Sequence, residues 1–329
     1  MKVLVIGAAG MVGRKLLEQV AASPDVLGGD IDALTLVDVI EPTAPEALAS
    51  VASCKAIDLS TDGAAASLIA GRPDLIFHLA AVVSGEAEAD FEKGYRVNLD
   101  GGRALLEAIR QEGQSAPYRP RLVFASSVAV LGAPFPEKIG DEFFATPLTS
   151  YGTQKAIMEL LLADYARRGF LDGIGIRLPT ICVRPGKPNA AASGFFSNII
   201  REPLSGKEAV LPVDDSVRHW FVSPRSAVGF FTHAATLDLS KVGPRCNLIM
   251  PGLSATVAEQ IAALETVAGS KAVSLIRREP DPVIEGIVGS WARDFDPKRA
   301  LELGFTAEDD FEEIIRIHID DELDGKIGA

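Results

Sequence analysis

Short apolar runs alternate with helical stretches along the first half of the chain. Lys2 to Ile6 is an apolar run closed by Gly7, which predicts a buried strand. From Met11 to Ala22, Met11, Leu16, Leu17 and Val20 share one side of a predicted helix. Further strands are predicted at Ala33 to Val37, Cys54 to Leu59, Leu75 to Ala81, Arg121 to Ala125 and Gly173 to Leu178. One long helix is expected over Glu86 to Gln111, with Phe91, Tyr95, Leu99, Leu105, Leu106 and Ile109 as its apolar members, and another over Tyr151 to Arg168. Beyond Leu178 the pattern loosens. A turn-rich loop, Arg184 to Pro188, leads into helical stretches near Gly194 to Arg201 and Arg225 to Leu237. A strand at Arg245 to Met250, a helix at Ala255 to Ala268 and an acidic amphipathic helix at Phe311 to Asp321 follow.

Strands alternating with helices predict an α/β fold around a parallel sheet. In such a sheet ligands bind outside the carboxyl ends of the strands. The chemically distinctive residues fall there: Gly7 after the first strand, Asp38 after the second, Asp58 and Leu59 at the end of the third, Leu79, Ala80 and Ala81 at the end of the fourth, Ser126 and Ser127 after the fifth, Pro179 and Thr180 after the sixth. At 329 residues and 47% hydrophobic, the chain suits one large α/β unit with a smaller lobe.

The net charge of −13 disfavours nucleic acid and anionic membranes as partners, and no basic run offsets it. Cys54, Cys182 and Cys246 are far apart, have no metal-ligand spacing and suit a reducing compartment. The first apolar run is too short for a signal peptide, and no stretch approaches the ~18 apolar residues of a membrane span. A soluble, cytoplasmic protein is expected.

Three motifs carry chemistry. The turn Gly7-Ala8-Ala9-Gly10-Met11-Val12-Gly13 lies between a strand and a helix, where backbone N–H groups can take a pyrophosphate. Asp38, at the next strand end, is placed to bind both hydroxyls of an adenosine ribose and to repel a 2′-phosphate, which favours NAD over NADP. Tyr151 and Lys155 sit one helical turn apart, with Ser127 upstream. A free phenol has a pKa of about 10, and a neighbouring ammonium favours its phenolate. Tyr151 is thus the expected acid/base, Ser127 the group that holds the reacting oxygen, and Lys155 a partner of both Tyr151 and the nicotinamide ribose.

Other assignments stay open at this level. Asp58 either meets the adenine amino group or caps the next segment. Asn98 either bonds backbone and bends its helix or holds a water in a proton path. His78 reads as a core histidine, and His219 lies in a plausible cleft segment without a required role. Arg184 and Arg218 are either clamps for an anionic substrate or surface ion pairs.

With these residues placed, the chain resembles the extended short-chain dehydrogenase/reductase family, of the epimerase/dehydratase type. The glycine turn, Asp38, Ser127, Tyr151 and Lys155 carry the resemblance, and the run Phe124 to Gly132 is similar to the family's serine strand. The resemblance implies a Rossmann-type doubly wound parallel sheet with a smaller C-terminal α/β substrate lobe. The NAD-binding domain would span 1–178 and also take in about 223–250, with 179–222 and 251–329 as the substrate lobe. Val128 and Ala129 stand where the family's dehydratases carry Asp-Glu. In Arg218-His219-Trp220-Phe221-Val222-Ser223 the arginine is kept but its neighbours depart from the nucleotide-sugar pattern. Segments 150–155, 177–186 and 291–296 are similar to a bacterial subgroup that oxidises the C2 hydroxyl of a short sugar acid. The resemblance therefore implies NAD-dependent oxidation of a small anionic sugar acid by a homodimer paired through the Tyr151 helix. The alternatives are a nucleotide-sugar epimerase that recycles tightly held NAD, and a non-catalytic NAD-binding regulator.

Overall fold

The computed structural model describes residues 1–186 and 193–328; Lys187 and Pro188 of the turn-rich loop lie outside the described residues. The chain divides into two compact units. The first comprises Met1–Val130, Ala145–Leu178 and Val228–Met250, the second Leu131–Phe144, Pro179–Ala227 and Pro251–Ala329.

The first unit is built on seven parallel strands: β1 (Lys2–Ile6), β2 (Ala33–Asp38), β3 (Ala52–Ala56), β4 (Leu75–His78), β5 (Arg121–Ser127), β6 (Asp172–Leu178) and β7 (Asn247–Ile249). Their spatial order is β3-β2-β1-β4-β5-β6-β7, so the direction of winding reverses between β1 and β4. The register aligns Ile6 with Val37 on one side and with His78 on the other. Continuous apolar runs make the central strands: Val3 to Ile6, Ile76, Phe77, Val123 and Phe124 are all buried, as a sheet covered on both faces requires. The helices that matter for the site are α1 (Met11–Ala22), α2 (Gly101–Ser115) and α3 (Ser150–Arg167).

Two sequence expectations are corrected. The predicted third strand is shifted, ending at Ala56 rather than Leu59. The Asp58 carboxylate accepts from the Ser60 backbone N–H at 2.9 Å and hydroxyl at 2.6 Å, a local turn that takes the chain off the sheet edge. The predicted long helix over Glu86 to Gln111 is instead four pieces: Ser84–Ala89, Phe91–Tyr95, a π-helical turn at Arg96–Asp100, and α2. Asp90 leaves helical geometry (φ −128°, ψ 86°) and its side chain caps the next piece by accepting from the Lys93 N–H. The π turn surrounds Asn98, whose side chain is tied to another segment, as described below.

Leu131–Phe144 belongs to the second unit. There Ile139–Gly140 pairs in parallel with Phe295–Asp296. The second unit has its own core, formed by Phe195, Phe196, Ile199, Phe221, Leu264, Phe311, Ile314 and neighbours. Its three-stranded sheet joins Thr180–Ile181, Arg218–Val222 and Leu253–Thr256, with Arg218–Val222 in the middle. No helix among the described residues is long and apolar enough to cross a membrane.

Candidate active site

The carboxyl ends of β1 and β4 meet at the reversal of strand order, and the glycine turn lies there. Gly7 has φ +94°, and a Cβ on it would lie 2.5 Å from the Ala80 nitrogen. A Cβ on Gly13 would lie 2.2 Å from the Gly7 carbonyl oxygen. Only glycine lets the turn close against the Leu79-Ala80 backbone and lets α1 start beside it. Gly10 is the N-cap of α1 and offers no side-chain cap; Met11, Val12 and Gly13 form the first turn, which holds no acidic residue. The helix dipole and its N-terminal N–H groups are thus left to an external anion. These features fit a dinucleotide pyrophosphate.

Asp38 ends β2. One carboxylate oxygen accepts from the Ala9 N–H in the glycine turn at 3.0 Å, and the other from the Val39 N–H at 2.7 Å. The carboxylate is thereby fixed at the mouth of the turn. Asp58 and Leu59 follow β3. Burial alone would raise the Asp58 pKa, but the Ser60 hydrogen bonds and the Arg96 ion pair at 3.0 Å outweigh it and hold the carboxyl below its usual range. Leu79, Ala80 and Ala81 follow β4.

Asn98 is buried, and its amide is engaged on both sides. Its Oδ1 accepts from the Val82 N–H at 2.8 Å, and its Nδ2 donates to the Val82 carbonyl at 3.0 Å and to Gln154 Oε1 at 2.8 Å. It ties the loop after β4 to α3, and the π turn is the local form that lets it do so.

Ser126 and Ser127 close β5, and Tyr151 and Lys155 lie in the first half of α3. Thr149 caps α3 by accepting from the Gly152 N–H. The Ser127 hydroxyl accepts from the Ala129 N–H at 3.1 Å, which fixes its oxygen. Lys155 is 2% exposed. Its Nζ donates to the Ala125 carbonyl at 2.7 Å and stands 4.8 Å from the Phe124 ring centroid and 5.7 Å from that of Tyr151. Burial pushes the Lys155 pKa down to about 7, against the pull of the Glu159 carboxylate. His78, on β4, is pushed down to about 3 by burial and by the Lys155 charge, so it is neutral across the working range.

The remaining candidates lie in the second unit. Thr180 pairs in the small sheet, and its hydroxyl lies 2.6 Å from His219 Nε2. His219 Nδ1 lies 3.2 Å from the Ala292 carbonyl, which can only accept, so the proton sits on Nδ1 and Nε2 accepts from Thr180. Burial holds the His219 pKa down to about 4. The ring is therefore a neutral, already engaged acceptor rather than a waiting base. The Arg184 guanidinium donates to the Ile181 carbonyl and to the Ser193 hydroxyl. Arg218 donates to the Ser254 carbonyl and pairs with Glu259 at 3.2 Å. Among the described residues no cluster of His, Cys, Asp and Glu could hold a metal ion.

Residues 3–238 match the model of the NAD dependent epimerase/dehydratase family. The chain belongs to that family. Its cofactor is NAD, and it is an oxidoreductase that acts on a CH–OH group. It is 46% identical to D-erythronate dehydrogenase of Cupriavidus necator over 326 residues, 98% of each chain. It is 41% identical to D-erythronate dehydrogenase of Haemophilus influenzae over 320 residues, 97% of this chain and 99% of the relative. A solved structure described as the nucleoside-diphosphate-sugar epimerase from Agrobacterium tumefaciens superposes with a TM-score of 0.96 at 64% identity, covering 99% of this chain and 95% of the other.

Within this family member, sequence reasoning passed over three polar residues around Lys155. Gln154 is buried and takes the Asn98 amide. Glu159 and Arg177 form an ion pair at 2.7 Å, with Glu159 3% exposed. The sequence does hold a signal: Glu159 is a lone carboxylate inside the apolar run Ile157 to Leu162, one turn beyond Lys155 on the same helix face.

Proposed function

We propose that this family member oxidises the C2 hydroxyl of a short sugar acid, with D-erythronate as the foremost substrate. The observation that carries the reading is the buried Lys155. Its ammonium sits on the Ala125 carbonyl, beside the Tyr151 ring and two residues before Ser127. The two full-length relatives named D-erythronate dehydrogenase supply the substrate class.

In the proposed reaction Ser127 holds the substrate hydroxyl by hydrogen bonding. Tyr151, kept as phenolate by the Lys155 charge, removes the hydroxyl proton. Bound NAD supplies the acceptor for the hydride that leaves C2. Gly7, Gly10, Met11, Val12 and Gly13 cradle the pyrophosphate, and Asp38 takes the ribose hydroxyls. Leu79 to Ala81, Ser126 and Pro179 are further contacts of the cofactor in this reading. Asn98 acts indirectly, by fixing the loop after β4. Arg184 and Arg218 are the candidates for the substrate carboxylate.

NADH formation with a panel of four- to six-carbon sugar acids tests this reading. D-erythronate with NAD gives turnover, and NADP in place of NAD lowers kcat/KM by about tenfold or more, because a carboxylate at this strand end would repel a 2′-phosphate. The description of the Agrobacterium relative favours a second reading, a nucleotide-sugar epimerase. Interconversion of a UDP-sugar without net NADH, and silence on every acid, establishes that reading instead.

A cytoplasmic homodimer completes the proposal. The three cysteines are free, and Leu160 in the middle of α3 is 72% exposed, although its neighbours Met158 and Leu162 are buried. An apolar side chain so placed suits a helix that pairs with a second copy. Light scattering gives twice the 34.8 kDa chain mass in this case, and Leu160→Glu shifts the population to monomer.

A further inference from the structure

The strand end that presents Ser127 is gripped from α3 at two consecutive residues. Lys155 Nζ donates to the Ala125 carbonyl at 2.7 Å, and the Ser126 hydroxyl donates to Glu159 Oε1 at 2.6 Å. Lys155 and Glu159 are one helical turn apart on the same face. Glu159 is itself held from β6. Arg177 donates through Nε at 2.9 Å and through Nη2 at 2.7 Å, a bidentate clamp. Arg177 is the register partner of Ser126 across the β5–β6 ladder. Asn247 on β7 donates to the Glu159 backbone carbonyl at 3.1 Å. Ser126, Lys155 and Glu159 are each at most 3% exposed.

A carboxylate taken out of water at this depth is costly unless it serves its surroundings. Its surroundings here carry two cations, Lys155 and Arg177, and one carboxylate. The other titratable groups facing Lys155 are Tyr151 on α3 and His78 on β4, the latter neutral. Glu107 on α2 is turned to Arg110 and Tyr165.

We propose that Glu159 is a positioning residue of this site: its carboxylate favours the charged form of Lys155 around neutral pH and pins Ser126, and with it the backbone that presents Ser127. The inference rests on the proposed role of Tyr151 as the base and deepens it. Along a helix rising about 1.5 Å per residue, Glu159 is roughly 6 Å from Lys155 and roughly 12 Å from Tyr151. Its field therefore acts on the ammonium first. Removing that charge leaves Lys155 easier to deprotonate, and the Tyr151 phenolate loses its partner.

The phenolate absorbance of Tyr151 tests this without any substrate. The chain has four tyrosines. Burial pushes Tyr118 well above its ordinary range, and burial together with the Glu107 bond raises Tyr165. In the NAD complex, the wild-type titration minus that of Tyr151→Phe isolates Tyr151. Its transition is expected below the ordinary phenol value of about 10. Glu159→Gln moves it upward by about one unit, and Glu159→Asp, which keeps the charge, leaves it near the wild-type position. If Glu159→Gln does not fold, Glu159→Gln/Arg177→Met removes the ion pair as a unit and moves the transition in the same direction by less. A transition that stays in place in the folded glutamine variant overturns the inference, as does an aspartate variant that shifts as far as glutamine. No low transition in the wild type instead overturns the reading of Tyr151 as the base.

Discussion

Tyr151→Phe removes the turnover of D-erythronate, lowering kcat by about a thousandfold or more while leaving NAD affinity within a few-fold. The substitution deletes one oxygen. The aromatic body stays, so the ring's contact with the Lys155 ammonium at 5.7 Å and the start of α3 are kept. The phosphate and ribose cradle is made by other elements, the β1–α1 turn and the Asp38 carboxylate. A loss confined to kcat therefore assigns the oxygen to the proton transfer. Steady-state kinetics, together with NAD titration by fluorescence, separates the two quantities. Near-native kcat in the phenylalanine variant would remove the phenolate mechanism, and a large rise in NAD Kd would assign Tyr151 to binding instead.

The fold was legible where local pattern and tertiary demand coincide. β1 and α1 occupy the predicted spans, since a buried parallel strand needs an unbroken apolar run and a covering helix needs an apolar stripe. The same holds for β5 and α3, which carry Ser127, Tyr151 and Lys155. The stretch from Glu86 to Gln111 was misread because its apolar periodicity continues across two breaks. What breaks it is not periodic: a capping aspartate at Asp90, and an asparagine at position 98 whose partners are Val82 and Gln154, 16 and 56 residues away in sequence. The two- to five-residue strands of the second unit, such as Thr180–Ile181 and Arg218–Val222, were invisible for a related reason. Strands so short have no pattern of their own and exist by pairing with each other. Glu159 escaped notice because a lone carboxylate on a helix reads as solvated until β5 and β6 are seen closing over it.

Lys155→Met stabilises the folded chain at acid and neutral pH while lowering kcat by about a hundredfold or more. The Lys155 pKa falls from an ordinary 10.5 to about 7 on burial, and at about 1.4 kcal/mol per unit that is a cost on the order of 5 kcal/mol for holding the ammonium in the core. Methionine is of similar length and carries no charge. It forfeits the bond to the Ala125 carbonyl and the contact with the Phe124 ring, which together offset about 3 kcal/mol. A net gain of about 2 kcal/mol results.

Its pH dependence follows from the proton count. Below about pH 7 the lysine is protonated in both the folded and unfolded chain, and the whole cost is present. Between about 7 and 10.5 the unfolded chain keeps a proton that the folded chain has released, so wild-type stability rises with pH relative to the variant. Thermal melts therefore show the variant ahead of wild type at pH 6, whereas by pH 9 the rise in wild-type stability, about 2.8 kcal/mol over two units, has erased that margin. A variant less stable than wild type at pH 6, with a gap indifferent to pH, would mean that Lys155 is held for packing. The expected result places a stability cost at the residue that the proposed mechanism needs charged, which is the trade a site makes when it keeps an ammonium dry beside a phenol.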